Sequence, residues 1–174
     1  MSSPVPSPTR TVVALTLLFL ADALAVGQGL VSLLTALAGL ALLLAGALWA
    51  GLRRRGALAR SRALRAALYL GLGLATVAAL RFHTATANAN AATVIAACQR
   101  FRAAHGRFPE RLEELAPAQL PRVPRARYTL LWGEFGYWST GSPEAPAHVL
   151  VYTALPPFGR RTYDLERGAW GRLD

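Results

Sequence analysis

Residues 11–55 read TVVALTLLFLADALAVGQGLVSLLTALAGLALLLAGALWAGLRRR, and this stretch decides what kind of protein the chain is. As far as Leu52 it is apolar for 42 residues, interrupted by Asp22 and by Gly27-Gln28-Gly29. A single helix of that size would be about 63 Å long, twice the thickness of a hydrocarbon core. The chain therefore has to fold back, and Gly-Gln-Gly is the natural turn. The reading gives one apolar span near 11–27 and a second near 30–51.

Arg53-Arg54-Arg55 closes the stretch, and Arg60, Arg62 and Arg65 follow. Arginine clustered beside an apolar span marks the cytoplasmic side. Beyond it, 66–80 is uncharged between Arg65 and Arg81, and both arginines can snorkel to lengthen a short span. Its leucines surround the whole helix, which favours crossing the bilayer over lying in its surface. The expected topology is a disordered tail at 1–10, a three-span region at 11–82 with a cytoplasmic Arg-rich loop at 53–65, and a C-terminal domain at 83–174 in the periplasm. A cleaved signal peptide is the rival for the first span, since Ala23-Leu24-Ala25 follows a basic residue and an apolar run. Hydrophobicity that resumes at once and continues to Leu52 argues against it.

Composition agrees. The 174 residues are 53% apolar and 16% charged, with a mean hydropathy of +0.32. Ordinary soluble domains carry about 25% charged residues. All 19 basic residues are arginine, which with abundant Ala, Leu and Gly suits a GC-rich bacterial genome. The net charge of +10 raises the question of nucleic acid, but the excess sits between apolar runs, so membrane topology explains it and no nucleic-acid partner is expected. The lone Cys98 can form no intramolecular disulfide, and its apolar neighbours point to a buried thiol.

Residues 83–174 differ in kind and hold eleven of the fifteen aromatic residues. Val94, Cys98, Phe101 and His105 fall on one helical face, and Gly106 is placed to end that helix. The 84–90 stretch is expected to continue the third span as helix. Pro109 suits the first turn of a short helix carrying Leu112 and Leu115. Strands are then expected at 128–132 and 135–138 around a Gly133-Glu134 turn, at 148–153, and at 162–165 and 169–173 around Glu166-Arg167-Gly168. The fold class is thus membrane α-helical plus α+β: three transmembrane helices, then a helix and an antiparallel meander.

Residues 94–124, with Gly106, Phe108-Pro109, Leu112, Leu115, Pro117, Leu120 and Pro124 in order, resemble the start of the globular domain of type IV pilin-like and type II secretion pseudopilin proteins. Tyr163-Asp164 and Trp170 resemble the closing hairpin of such domains. The resemblance covers about half of the chain and implies a pilin-like domain. The family's processing motif beside a basic leader is absent, and no acidic loop resembles the pseudopilin calcium site. A protein held by several spans is also a poor candidate for extraction into a fibre.

Asp22 is the one charge well inside an apolar run, and Arg81 or His83, at the outer end of the third span, is its expected ion-pair partner. His83, His105 and His148 show no metal-ligand spacing, and Ser139, Thr140 and Ser142 lie outside any nucleophile-elbow context. No catalysis, cofactor or metal is therefore expected. Trp132, Trp138, Phe158, Arg160 and Arg161 are the candidate interaction residues. The expected partners are the lipid bilayer and an envelope protein, with the domain acting as a scaffold or assembly component of the inner membrane. A ligand-sensing periplasmic module coupled to the membrane helices is the alternative; a tryptophan-lined pocket would favour it, and a flat patch or open strand edge would favour the scaffold.

Overall fold

Two glycines in left-handed backbone make the first turn. Gly27 has φ +66° and Gly29 φ +68°, values that cost a residue with a Cβ about 1–2 kcal/mol. In this computed structural model, which describes residues 8–27, 29–142, 145–154 and 159–173, they separate α1 (Pro8–Ala21) from α2 (Leu30–Leu52). A π-helical turn, Asp22–Val26, extends α1. α3 runs from Gly56 to His105 and includes the 84–90 stretch. A short 3₁₀ turn (Leu112–Leu115) and four strands follow: β1 (Gly136–Ser142), β2 (Ala145–Thr153), β3 (Arg160–Asp164) and β4 (Ala169–Leu173).

Two helices, α2 and α3, are long and apolar enough to cross a membrane, where the sequence reading expected three. The 14-residue α1 spans about 21 Å, and with its five-residue π-turn at most about 28 Å, a little short of a hydrocarbon core. Its α-helical geometry ends at Asp22, whose carboxylate is drawn to the next helix. Of the most apolar window of α2 only 11% is buried, and of that of α3 17%, the reverse of a core helix in a soluble protein.

The chain forms two compact units, Met1–Arg81 and Phe82–Asp174, with α3 contributing to both. In the first, α2 and α3 run antiparallel and meet through small residues. A Cβ on Gly39 would lie 2.2 Å from the Tyr69 ring, and one on Gly73 would lie 3.5 Å from Ala36 Cβ. Ser32, Ala36 and Ala50 are the buried residues of α2. Small side chains let helix backbones approach closely, which is how helices associate in lipid. The Arg62 guanidinium donates to the Gly46 carbonyl at 2.6 Å. A crevice of ≈ 210 Å³ lies between Leu15 and Phe19 of α1 and Leu68 and Leu72 of α3.

In the second unit, Ala87, Ala91, Val94, Ala97, Cys98 and Phe101 of α3 form a core with Leu115, Leu120, Leu150, Tyr152 and Leu165. Gly106, at φ +74°, ends the helix as its position suggested. The sheet is a plain antiparallel meander, β1-β2-β3-β4. Its last turn matches expectation: Asp164 Oδ1 accepts the Glu166 and Arg167 amides at 3.0 and 2.9 Å, and Gly168 sits at φ +65°. The first expected hairpin does not form. Residues 128–132 are a loop, and β1 pairs with β2 instead, Trp138 facing Val149 and Tyr137 facing Leu150.

Candidate interaction surface

Local hydrogen bonds explain why 128–132 escapes the sheet. The Arg127 amide donates to the Gly133 carbonyl at 3.1 Å, closing the loop at its base. Arg125 Nη2 donates to the Thr129 carbonyl at 2.9 Å, and Thr129 Oγ1 donates to the Leu131 carbonyl at 2.6 Å. A Cβ on Gly133 would come within 2.5 Å of Arg125 Nη2 and 2.7 Å of the Thr129 carbonyl oxygen, so glycine is required there. These bonds occupy backbone groups that a strand ladder would need.

The loop is held from below and apolar on top. Ala126, Arg127 and Thr129 are each 1% exposed. The Arg127 guanidinium donates to the Ala154 carbonyl, and burial holds its pKa below the ordinary value, opposed by Tyr152. Asn90 Nδ2 of α3 donates to the Arg125 carbonyl at 2.7 Å. Tyr128, Leu130, Leu131 and Trp132, by contrast, are 61%, 78%, 53% and 46% exposed. Trp132 has φ +60°, an outlier for a bulky residue and a form of strain that clusters at functional positions. Beside the loop, Pro121, Arg122, Val123, Pro124, Arg125 and Tyr128 line a hollow of ≈ 350 Å³. Between Glu114 and Glu134 the chain carries three arginines and no acid.

The interaction residues chosen from sequence are dispersed. Trp132 belongs to this loop, while Trp138 is exposed on β1. Strand alternation puts Trp138 and Arg160 on one face of the sheet and Arg161 on the other, which carries Tyr163 and Trp170. Arg161 lies 4.6 Å over the Trp170 ring and donates to Asn88 Oδ1 at 3.1 Å, so it serves the sheet's join to α3. Phe158 lies outside the described residues. The sequence reading took 128–132 as strand and so missed Leu130 and Leu131; the signal available was the run Tyr-Thr-Leu-Leu-Trp, whose consecutive apolar residues break strand alternation.

Asp22 turns out to be a helix cap. Its Oδ1 accepts the Gly29 amide at 3.2 Å and its Oδ2 the Ser32 amide at 2.9 Å, both at the N-terminus of α2. A carboxylate there satisfies amides that have no intrahelical partner and complements the helix dipole. The expected pair with Arg81 is not among the ion pairs of the described residues, which join Arg107 to Glu114, His148 to Glu166 and Arg167 to Asp164. At the other end of α2, the Arg54 amide donates to the Gly51 carbonyl and that of Arg55 to the Ala50 carbonyl, the Schellman pattern. Arg54 takes the left-handed position, φ +53°, that glycine usually fills.

One cluster of titratable groups was not anticipated. His148 bonds Glu166 through both its ring Nδ1 and, at 2.9 Å, its amide. The Tyr137 ring lies 6.2 Å from that of His148, and its hydroxyl donates to the Pro109 carbonyl at 2.7 Å. Burial, with Cys98, Glu166 and Glu114 nearby, pushes that hydroxyl's pKa above its ordinary value. With every one of these atoms engaged, the cluster fastens β2 to the β3–β4 turn. Among the described residues no group of three or more His, Cys, Asp or Glu could hold a metal ion. Burial pushes the Cys98 thiol up to about 12, consistent with a packing role. Comparison with protein-family models, curated proteins and solved structures finds no match to this chain.

Proposed function

We propose that the chain is a bacterial inner-membrane protein whose α2 and α3 cross the bilayer, with the Arg-rich 53–65 stretch cytoplasmic and the C-terminal unit periplasmic. That unit works as a binding domain, a scaffold or assembly component of the envelope, and performs no covalent chemistry. The pilin-like order of helix, Phe-Pro, spaced leucines and meander belongs to the same reading.

The observation that carries it is the inverted burial of α2. Its leucines, among them Leu34, Leu42 and Leu48, are exposed, while Ser32 and Ala36 are buried. The run Arg53-Arg54-Arg55 directly after α2 supports the cytoplasmic assignment, since arginine beside a span favours that side. Exposed Trp132, Trp138 and Trp170 suit a binding surface better than a ligand pocket.

A reporter active only outside the cytoplasm, fused after Asp174, tests the topology in cells, alongside fractionation after an alkaline wash. Activity with the protein retained in membranes is the expected result. A soluble protein, or a reporter active only inside, would overturn the reading.

A further inference from the structure

We propose that the 121–133 loop is a second membrane contact, separate from the spanning helices: Leu130, Leu131 and Trp132 enter the surface of an anionic bilayer while Arg122 and Arg125 hold lipid phosphate in the hollow beside them.

The side chains are sorted as an interface requires. Leu130 and Leu131, the apolar tip, are flanked by Tyr128 and Trp132, the two residue types whose amphipathic rings settle at headgroup depth. Four large apolar residues within five positions, left in water by a small unit, mark an interaction site. The backbone is strained to keep them there: Trp132 holds φ +60° because the bonds through Arg125, Arg127 and Thr129 fix the residues around it. Relaxation into a strand would bury alternate side chains and lose the tip.

Charge identifies the lipid. Arg122 and Arg125 line the ≈ 350 Å³ hollow with Tyr128, which leaves room for a lipid headgroup with its phosphate between two guanidinium groups and an amphipathic ring. Between Glu114 and Glu134 the only charges are the three arginines Arg122, Arg125 and Arg127, with exposed Glu134 at the loop's edge. Each arginine near such a surface is worth about fivefold in affinity. Within its own unit the loop is fixed to α3 by Asn90, which donates to the Arg125 carbonyl. The far end of the same helix segment is tied elsewhere, Arg100 donating to the Gln119 carbonyl at 3.2 Å.

The test uses the full chain in vesicles of phosphatidylglycerol and phosphatidylcholine, some brominated on the acyl chains to quench nearby indoles. Three single-tryptophan variants are made by Trp→Phe changes, retaining Trp49, Trp132 or Trp138. Trp132 should emit at shorter wavelength than Trp138 and lose most of its emission to brominated lipid, while Trp138 keeps most of its own. Arg122→Gln, or vesicles of phosphatidylcholine alone, should restore much of the Trp132 emission. A Trp132 untouched by brominated lipid and open to aqueous iodide overturns the proposal and leaves a protein partner for the loop. Equal quenching of Trp132 and Trp138 overturns it too, as general adsorption of the unit. Trp49 on α2 reports the spans independently, so failure of the loop contact and failure of the membrane reading give different patterns.

Discussion

The two units solve opposite packing problems. In Met1–Arg81 the helices meet through glycine, alanine, serine and threonine, and leucines cover the outside. In Phe82–Asp174 leucines, aromatics and Cys98 fill the inside, and arginines cover much of the outside. The difference is the one expected if the first unit is solvated by lipid, as proposed, and the second by water. Where the surroundings are as apolar as leucine, burying leucine gains little, and close backbone approach and capped helix ends supply the specificity. Where the surroundings are water, burying apolar area is the dominant favourable term.

The sharpest way to break this comparison is to truncate one leucine in each unit. Leu150 is 1% exposed in the meander core, and Leu150→Ala should cost about 3 kcal/mol through lost transfer energy and the cavity left behind. Leu34 faces outward on α2, and Leu34→Ala should change stability by less than about 0.5 kcal/mol. Denaturant unfolding in micelles, followed by near-ultraviolet circular dichroism, measures both. Comparable losses would mean that α2 is a soluble-type core helix and would remove the contrast.

A second test concerns glycine within the first unit. Gly39→Ala places its methyl carbon 2.2 Å from the Tyr69 ring and should cost about 1–3 kcal/mol by overpacking. Gly71, on α3, has nothing within 4 Å of an added Cβ, and Gly71→Ala should be neutral or stabilising by up to about 1 kcal/mol. Melting temperatures in one detergent give the comparison directly. If the two substitutions behave alike, the small residues are not the packing seam.

Asp22 sharpens the difference at a single residue. As the cap of α2, Asp22→Ala should lose about 1 kcal/mol, and Asp22→Asn should lose less because an amide oxygen can still accept. Arg81→Ala should not alter either result. Thermal melts of the two Asp22 variants with and without the Arg81 change decide it, and a large coupling between the positions would restore the ion pair that spacing suggested.

Much of this architecture is readable in the sequence, for physical reasons that also explain the misses. The Gly-Gln-Gly turn, the end of α3 at Gly106 and the Gly168 turn were legible because each needs a left-handed backbone that glycine supplies without strain. The length of the first span was not, because Asp22 reads as a charge to be paired and its actual partners are backbone amides, which every residue carries. The 128–132 loop was hidden for a related reason. Its residue types favour a strand, and what forbids one is the approach of Arg125 and Thr129 to Gly133, a tertiary constraint. The exposure of Leu130 and Leu131 was hidden with it, so that Trp132 was chosen as a candidate while they were not.

The smallest expected effect lies in the second unit, where exposed charges do what backbone capping does in the first. Burial alone would raise the Glu114 pKa, but the Arg111 and Glu110 amides, at 3.0 and 2.8 Å from Oε1, and Arg107 outweigh it and hold the carboxyl below its ordinary value. Because the folded state has the lower pKa, the stabilisation is fully present above the unfolded value and is lost as pH falls through the folded one. Its size should be under about 1 kcal/mol, since Arg107 is largely solvated and exposed pairs are screened. Comparing the wild-type protein with Glu114→Gln, the stability gap should begin to close as pH falls below about 5 and go on closing below the ordinary glutamate range as the wild-type carboxylate protonates. Salt should narrow it only slightly at neutral pH, because two of the three partners are backbone amides. A gap that vanished in high salt would make Arg107 the principal partner and the amides incidental.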